Sequence, residues 1–100
     1  MLDLATVTAD AFRPHIDSTF AVVVGSNETL ELTLVETTEF PGAREGVRRG
    51  FSLMFGGGSP ARILHQATYA FRHAALGEFE IFIVPRQPVG GVPRYEATFN

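Results

Sequence analysis

One hundred residues suit a single domain over residues 1–100, long enough to bury a real core. The chain has no cysteine and no lysine, which excludes disulfides, thiolate metal sites, cysteine nucleophiles, Schiff-base chemistry and a P-loop lysine. A formal charge of −3 lacks the basic excess of a nucleic-acid binder, and no apolar run approaches the roughly 20 residues needed for membrane insertion.

The opening segment MLDLATVTADAF has no basic n-region and no long apolar run, so it is not a secretory signal. A soluble, cytoplasmic protein is expected. Thr8 is placed to cap a short helix over Ala9 to Arg13, which Pro14 disfavours continuing. Phe12 and Ile16 lie four apart and share the face that would dock on a sheet, with Leu2 and Leu4 as a further apolar arm.

Two strands are predicted next, Ser18 to Val24 and Leu30 to Thr37, joined by the turn-rich GSNET. Pairing Val24 with Leu30, Val22 with Leu32 and Phe20 with Leu34 puts three apolar pairs on one face. Residues 40–50 (FPGAREGVRRG) read as a loop and carry Arg44, Arg48 and Arg49. The strand Phe51 to Phe55 follows, and then the flexible GGGSPAR.

Tyr69 and Phe71, then Phe79, Ile81 and Ile83, alternate with polar or small residues, the mark of strands with one buried face. A three-residue loop, Ala75-Leu76-Gly77, sets His73 opposite Phe79, Phe71 opposite Ile81 and Arg72 opposite Glu80. QPVGGVP reads as a loop that ends this strand. Tyr95, Ala97 and Phe99 then alternate in a last strand.

Six strands or so at short spacing, with Gly/Pro turns and one short N-terminal helix, indicate an all-β fold. The expected form is an antiparallel sandwich or a small, partly open barrel. Helices of 10–15 residues between strands are missing, so a parallel α/β sheet is excluded.

The chemical candidates are few. Gly56-x-Gly58-x-x-Ala61 loosely matches a dinucleotide fingerprint, but a strand follows where that motif needs a helix, so no cofactor is expected. His65 and His73, eight residues apart, would stand roughly 26 Å apart on a continuous strand, too far to share a metal, although His15 could approach either. Glu78 and Glu80 lie roughly 7 Å apart on one face, a spacing open to paired-carboxylate chemistry. The register above instead commits Glu80 to an ion pair with Arg72. Ser52 lacks the second glycine of a nucleophile elbow. A non-enzymatic domain is expected.

Arg44, Arg48 and Arg49 form the one concentrated basic site, a candidate contact for a protein or an anion, partly neutralised by Glu39 and Glu45. A small sheet must also end in edge strands that can pair with another chain. The candidates are Ser18 to Val24 and the last strand, whose contact residues would be Arg94, Tyr95, Glu96 and Thr98. The partner expected is a protein, or a second copy paired through these edges. The alternative is a small-molecule or glycan-binding β-module, or a minimal hydrolase, using loops 42–50, 56–62 and 87–93.

The order AFRPHIDSTFAV, LELTLVET, RRGFSLMFGG, QATYAFRHAALGEFEIFIVPR and YEATFN resembles an uncharacterised family of small bacterial domains. Genes of that family tend to lie beside genes for phage-tail-collar proteins. The resemblance spans nearly the whole chain and brings no catalytic residues. It implies a bacterial origin and a role as accessory or assembly factor in a tail-like or surface fibre system.

Overall fold

The computed structural model describes residues 2–41 and 49–100. Six strands follow an N-terminal segment: β1 (Thr19–Gly25), β2 (Glu28–Glu39), β3 (Phe51–Gly57), β4 (Ala67–His73), β5 (Gly77–Val89) and β6 (Val92–Phe99). Every pairing is antiparallel, and the order β1-β2-β3-β6-β5-β4 closes on itself as a barrel. The all-β expectation holds, and the sheet takes the closed form rather than the sandwich or partly open one.

Closure corrects the expectation about edges. Thr19–Gly25 lies between β2 and β4, and Val92–Phe99 lies between β3 and β5, so neither is an edge strand. Arg94, Tyr95 and Glu96 are paired on both sides, to β3 and to β5.

The alternation of the sequence is the alternation of the barrel wall. Phe20, Val22, Leu32, Leu34, Phe51, Leu53, Phe55, Phe71, Phe79, Ile81, Ile83, Tyr95, Ala97 and Phe99 fill the interior. Their rings interlock, with Phe51 stacked on Phe99 (centroids 4.6 Å apart) and Phe20 edge-on to Phe55 (5.3 Å).

Two registers differ from expectation by two residues, which leaves every side chain on its expected face. In β1–β2, Phe20 faces Leu32 and Val22 faces Leu30, because only Ser26 and Asn27 form the turn. Neither of these has positive φ. Such a turn splays strands of normal twist, and the bulge between Val23 and Gly25 restores the fit. In β4–β5 the loop is Ala74-Ala75-Leu76, so Phe71 faces Phe79 and His73 faces Gly77, whose φ of 79° closes the loop. Arg72 therefore faces Glu78, not Glu80.

The third correction concerns QPVGGVP, which is not a loop. β5 continues through Val89, and Gly90-Gly91 alone turns the chain, with φ of 58° and 80° as a tight primed turn requires. The first β4 pairing to β5 is Ala67 with Ile83, so beyond Val84 one side of β5 is open. Pro85 and Pro88 sit there, where a missing N–H breaks no ladder and blunts the open side.

The strands define two rims. Thr19, Glu39, Phe51, His73 and Phe99 lie at one, and Glu28, Gly57, Ala67, Val89 and Val92 at the other. The N-terminal segment plugs the first rim. It carries the expected short helix as two successive 3-10 turns, Ala9–Ala11 and Arg13–His15, with Pro14 accepted near the start of the second. Phe12 is fully buried and touches the rings of Phe51, Phe79 and Phe99, while Leu2, Leu4 and Ile16 pack behind it. Residues 58–66 cross the second rim and bury Leu64.

Candidate functional site

The N-terminal plug delivers His15 to the plugged rim, β4 ends there at His73, and Ser18 leads into β1 between them. The two imidazoles meet edge-on with centroids 4.7 Å apart, and Ser18 Oγ lies 2.9 Å from His73 Nε2. This serine–histidine contact has the spacing of a nucleophile and its base, but its protons run the wrong way. The backbone N–H groups of Ala75 and Leu76 both donate to His73 Nδ1, at 3.1 and 3.2 Å. A neutral ring so held carries its proton on Nε2 and donates it to Ser18 Oγ. The serine hydroxyl in turn donates to the His15 carbonyl at 2.5 Å. Among the described contacts of Ser18 no group is placed to take its proton, so the arrangement fastens loops and does not activate a nucleophile.

His65 stands apart, before β4, where its carbonyl accepts a hydrogen bond from the Tyr69 hydroxyl (2.9 Å). Among the described residues no group of three or more His, Asp or Glu side chains is placed to hold a metal ion. Ser52 is buried in β3 between Thr38 and Thr98. The Gly56–Ala61 stretch is followed by β4 and not by a helix, as the sequence implied.

The charged candidates are mostly engaged in pairs. Arg72 Nε binds Glu78 at 3.1 Å, Arg13 binds Asp10 and Glu39, and Arg86 lies 3.5 Å from Glu96. Arg62 grips Glu28 with both terminal nitrogens (2.5 and 3.0 Å). That hydrogen bonding, and then the guanidinium charge, holds the Glu28 carboxyl below the usual carboxylate range. Arg44 and Arg48 lie outside the described residues. Arg49 is exposed at the plugged rim. Of the last-strand residues, Tyr95 is wholly in the core, where its hydroxyl accepts the Leu64 N–H (3.0 Å). Arg94 and Glu96 are half-buried, and Thr98 is exposed.

The loops of the binding-module alternative include residues 42–48, which lie outside the described residues. Phe40 and Gly50, which flank residues 42–48 and are joined by a backbone hydrogen bond of 2.8 Å, lie at the plugged rim. Residues 56–62 and 87–93 belong to the opposite one.

That opposite rim carries the feature the sequence reading missed. The β5–β6 hairpin continues past the last β4 pairing and contributes to an elongated molecule of 44 × 29 × 23 Å. Val89 and Val92 face each other at its tip, 57% and 45% exposed, and Phe82 farther down β5 is 52% exposed. Between them Arg86 and Arg94 are direct cross-strand partners, an arrangement of like charges that costs stability. Among the described residues, Arg94 Nε is buried without a hydrogen-bond partner. The available signal was Val-Gly-Gly-Val, a two-residue primed turn between β-branched residues.

The model of one protein family, described as a domain of unknown function (DUF6916), matches residues 7–99. The chain belongs to the DUF6916 family. The match takes in the rim plug from Val7 onward and all six strands, so the barrel described above is the DUF6916 domain. No curated protein and no solved structure matches the chain. Among the described residues no helix is long and apolar enough to cross a membrane.

Proposed function

We propose that this DUF6916 domain is a non-enzymatic protein-interaction module whose docking element is the β5–β6 hairpin. The observation that supports the reading most is the exposed valine pair Val89/Val92, held opposite each other by a two-residue turn beyond the last β4 pairing. Two β-branched residues held this way lose little conformational freedom on binding, so the cost of association is low. Residues 85–93 hold one arginine and no acid in a chain of net charge −3, so the hairpin suits a partner of opposite sign. The gene neighbourhood implied by the family resemblance extends the proposal to an accessory or assembly factor of a bacterial tail-like or surface fibre, acting in the cytoplasm.

The test is site-specific photo-cross-linking in cells of the source organism, with the probe at position 92 or, as control, at the outward-facing position 80. A partner protein is expected to cross-link from position 92 alone. With the probe kept at position 92, Val89→Asp should sharply reduce that product while changing stability by less than about 0.5 kcal/mol, as for other surface sites. Equal labelling from both positions, or a product indifferent to Val89→Asp, rejects the hairpin as docking element.

A further inference from the structure

The barrel closes at its weakest pairing. β1 and β4 are matched at Ala21–Arg72 and Val22–Phe71, a shorter ladder than any other in the sheet among the described residues. The residue after Arg72 is His73, and across the seam lie Ser18 and the Phe20 ring, whose centroid is 4.3 Å from the imidazole. We propose that His15, Ser18 and His73 form an acid-sensitive clasp that holds the β1–β4 seam shut, and that protonation of His73 unfastens it.

The geometry carries this directly. Neutral His73 uses Nδ1 as the acceptor for two backbone N–H groups and Nε2–H as the donor to Ser18. A proton added at Nδ1 turns the shared acceptor into a donor that faces two donors. The loop Ala74–Leu76 must then let go. The same proton sets a positive ring edge-on to the His15 imidazole, with centroids 4.7 Å apart.

No carboxylate among the described contacts offsets that charge. On the N-terminal plug the facing group is His15. On the lead into β1 they are Ser18 and Phe20, and on the β4–β5 loop they are backbone amides. The neighbouring Arg72 and Glu78 satisfy each other on the outer wall, and Asp17 is exposed.

Burial lowers the affinity of His73 for a proton, and His15 lowers it further. The sign follows from that depression. The clasp's contribution is complete above the unfolded imidazole value of about 6.5 and is lost as pH falls below it toward the folded value.

Amide exchange followed by NMR from pH 8 to pH 5 tests the clasp. Protection factors for Ala21, Val22, Phe71 and Arg72 are expected to fall about tenfold, the effect of losing one or two ordinary hydrogen bonds, while amides of the β3–β6 ladder hold. The loss should track the titration of the His73 ring. His73→Asn keeps an acceptor where Nδ1 lies but cannot titrate, so its seam should be insensitive to pH. His15→Gln should move the wild-type midpoint upward by removing the like charge. An equal loss in all strands, a seam midpoint that departs from the His73 titration, or undiminished pH dependence in His73→Asn overturns the proposal. If His73→Asn does not fold, the coincidence of the two wild-type midpoints decides alone.

Discussion

Replacing Phe12 by alanine is expected to remove about 3–5 kcal/mol of folding stability, as large-to-small changes at fully buried aromatics do. Phe12 lies outside the sheet, in a 3-10 segment that would have no structure alone. Its ring nevertheless completes the interior, at centroid distances of 6.1 Å from Phe51, Phe79 and Phe99. Truncation opens a void at the plugged rim and removes the contact that holds the segment down. The loss is a large share of the roughly 5–15 kcal/mol available to a domain of this size. Urea unfolding of Phe12→Ala and wild type measures it directly, with similar m-values expected from the same exposed surface. A loss under about 1 kcal/mol would show that the N-terminal segment lies on the barrel without being part of its core.

The same residues explain how far the fold could be seen in the sequence. Alternation fixes which face of a strand is buried, and no face assignment for Phe20, Phe71, Ile81 or Tyr95 changed. Pairing partners depend instead on the turn, where a single side chain decides. His73 captures the amides of Ala75 and Leu76, which sets the loop at Ala74–Leu76 and moves Arg72 from Glu80 to Glu78. A histidine acting as a turn acceptor has no spacing signature.

Closure was hidden for a different reason. Whether the first and fourth strands meet depends on accumulated twist and on bulges such as that at Val35, properties of the whole sheet. QPVGGVP looked like a loop because the open side of β5 that tolerates Pro88 exists only once β4 has stopped. The serine–histidine contact was likewise out of reach, since Ser18 and His73 are 55 residues apart.

The polar groups of the described rims and wall are largely turned on one another. At the plugged rim the polar groups spend their protons on one another, from His73 to Ser18 to the His15 carbonyl. Along the wall, Arg72, Arg13 and Arg62 are bound to carboxylates. Among the described residues the hairpin departs from this: its valines meet water, and Arg94, opposite Arg86, keeps a buried Nε without a hydrogen-bond partner. The proposed interaction through that hairpin and the proposed clasp can be tested separately, because the two lie at opposite rims.

The second large effect is expected at that far rim, from a substitution that removes one oxygen. Tyr95→Phe leaves the ring in place between Phe55 and Pro85 but deletes the hydroxyl that accepts the Leu64 N–H. Both partners are buried, so water cannot replace the lost acceptor without entering the core. An unsatisfied buried donor costs about 1–3 kcal/mol, more than the net worth of an ordinary hydrogen bond. Residues 58–66 depend on this bond because their other described ties are peripheral. These are the Arg62–Glu28 ion pair, which is more than half exposed on both sides, the exposed hydrogen bond from the Tyr69 hydroxyl to the His65 carbonyl, and short turns about Ser59. Urea unfolding should therefore show the loss, and exchange of the Leu64 amide should accelerate by more than that of Ile81 or Ala97 in the adjoining wall. Tyr95→Phe with wild-type stability and an equally protected Leu64 amide would mean that the segment is held over the rim by the burial of Leu64 alone.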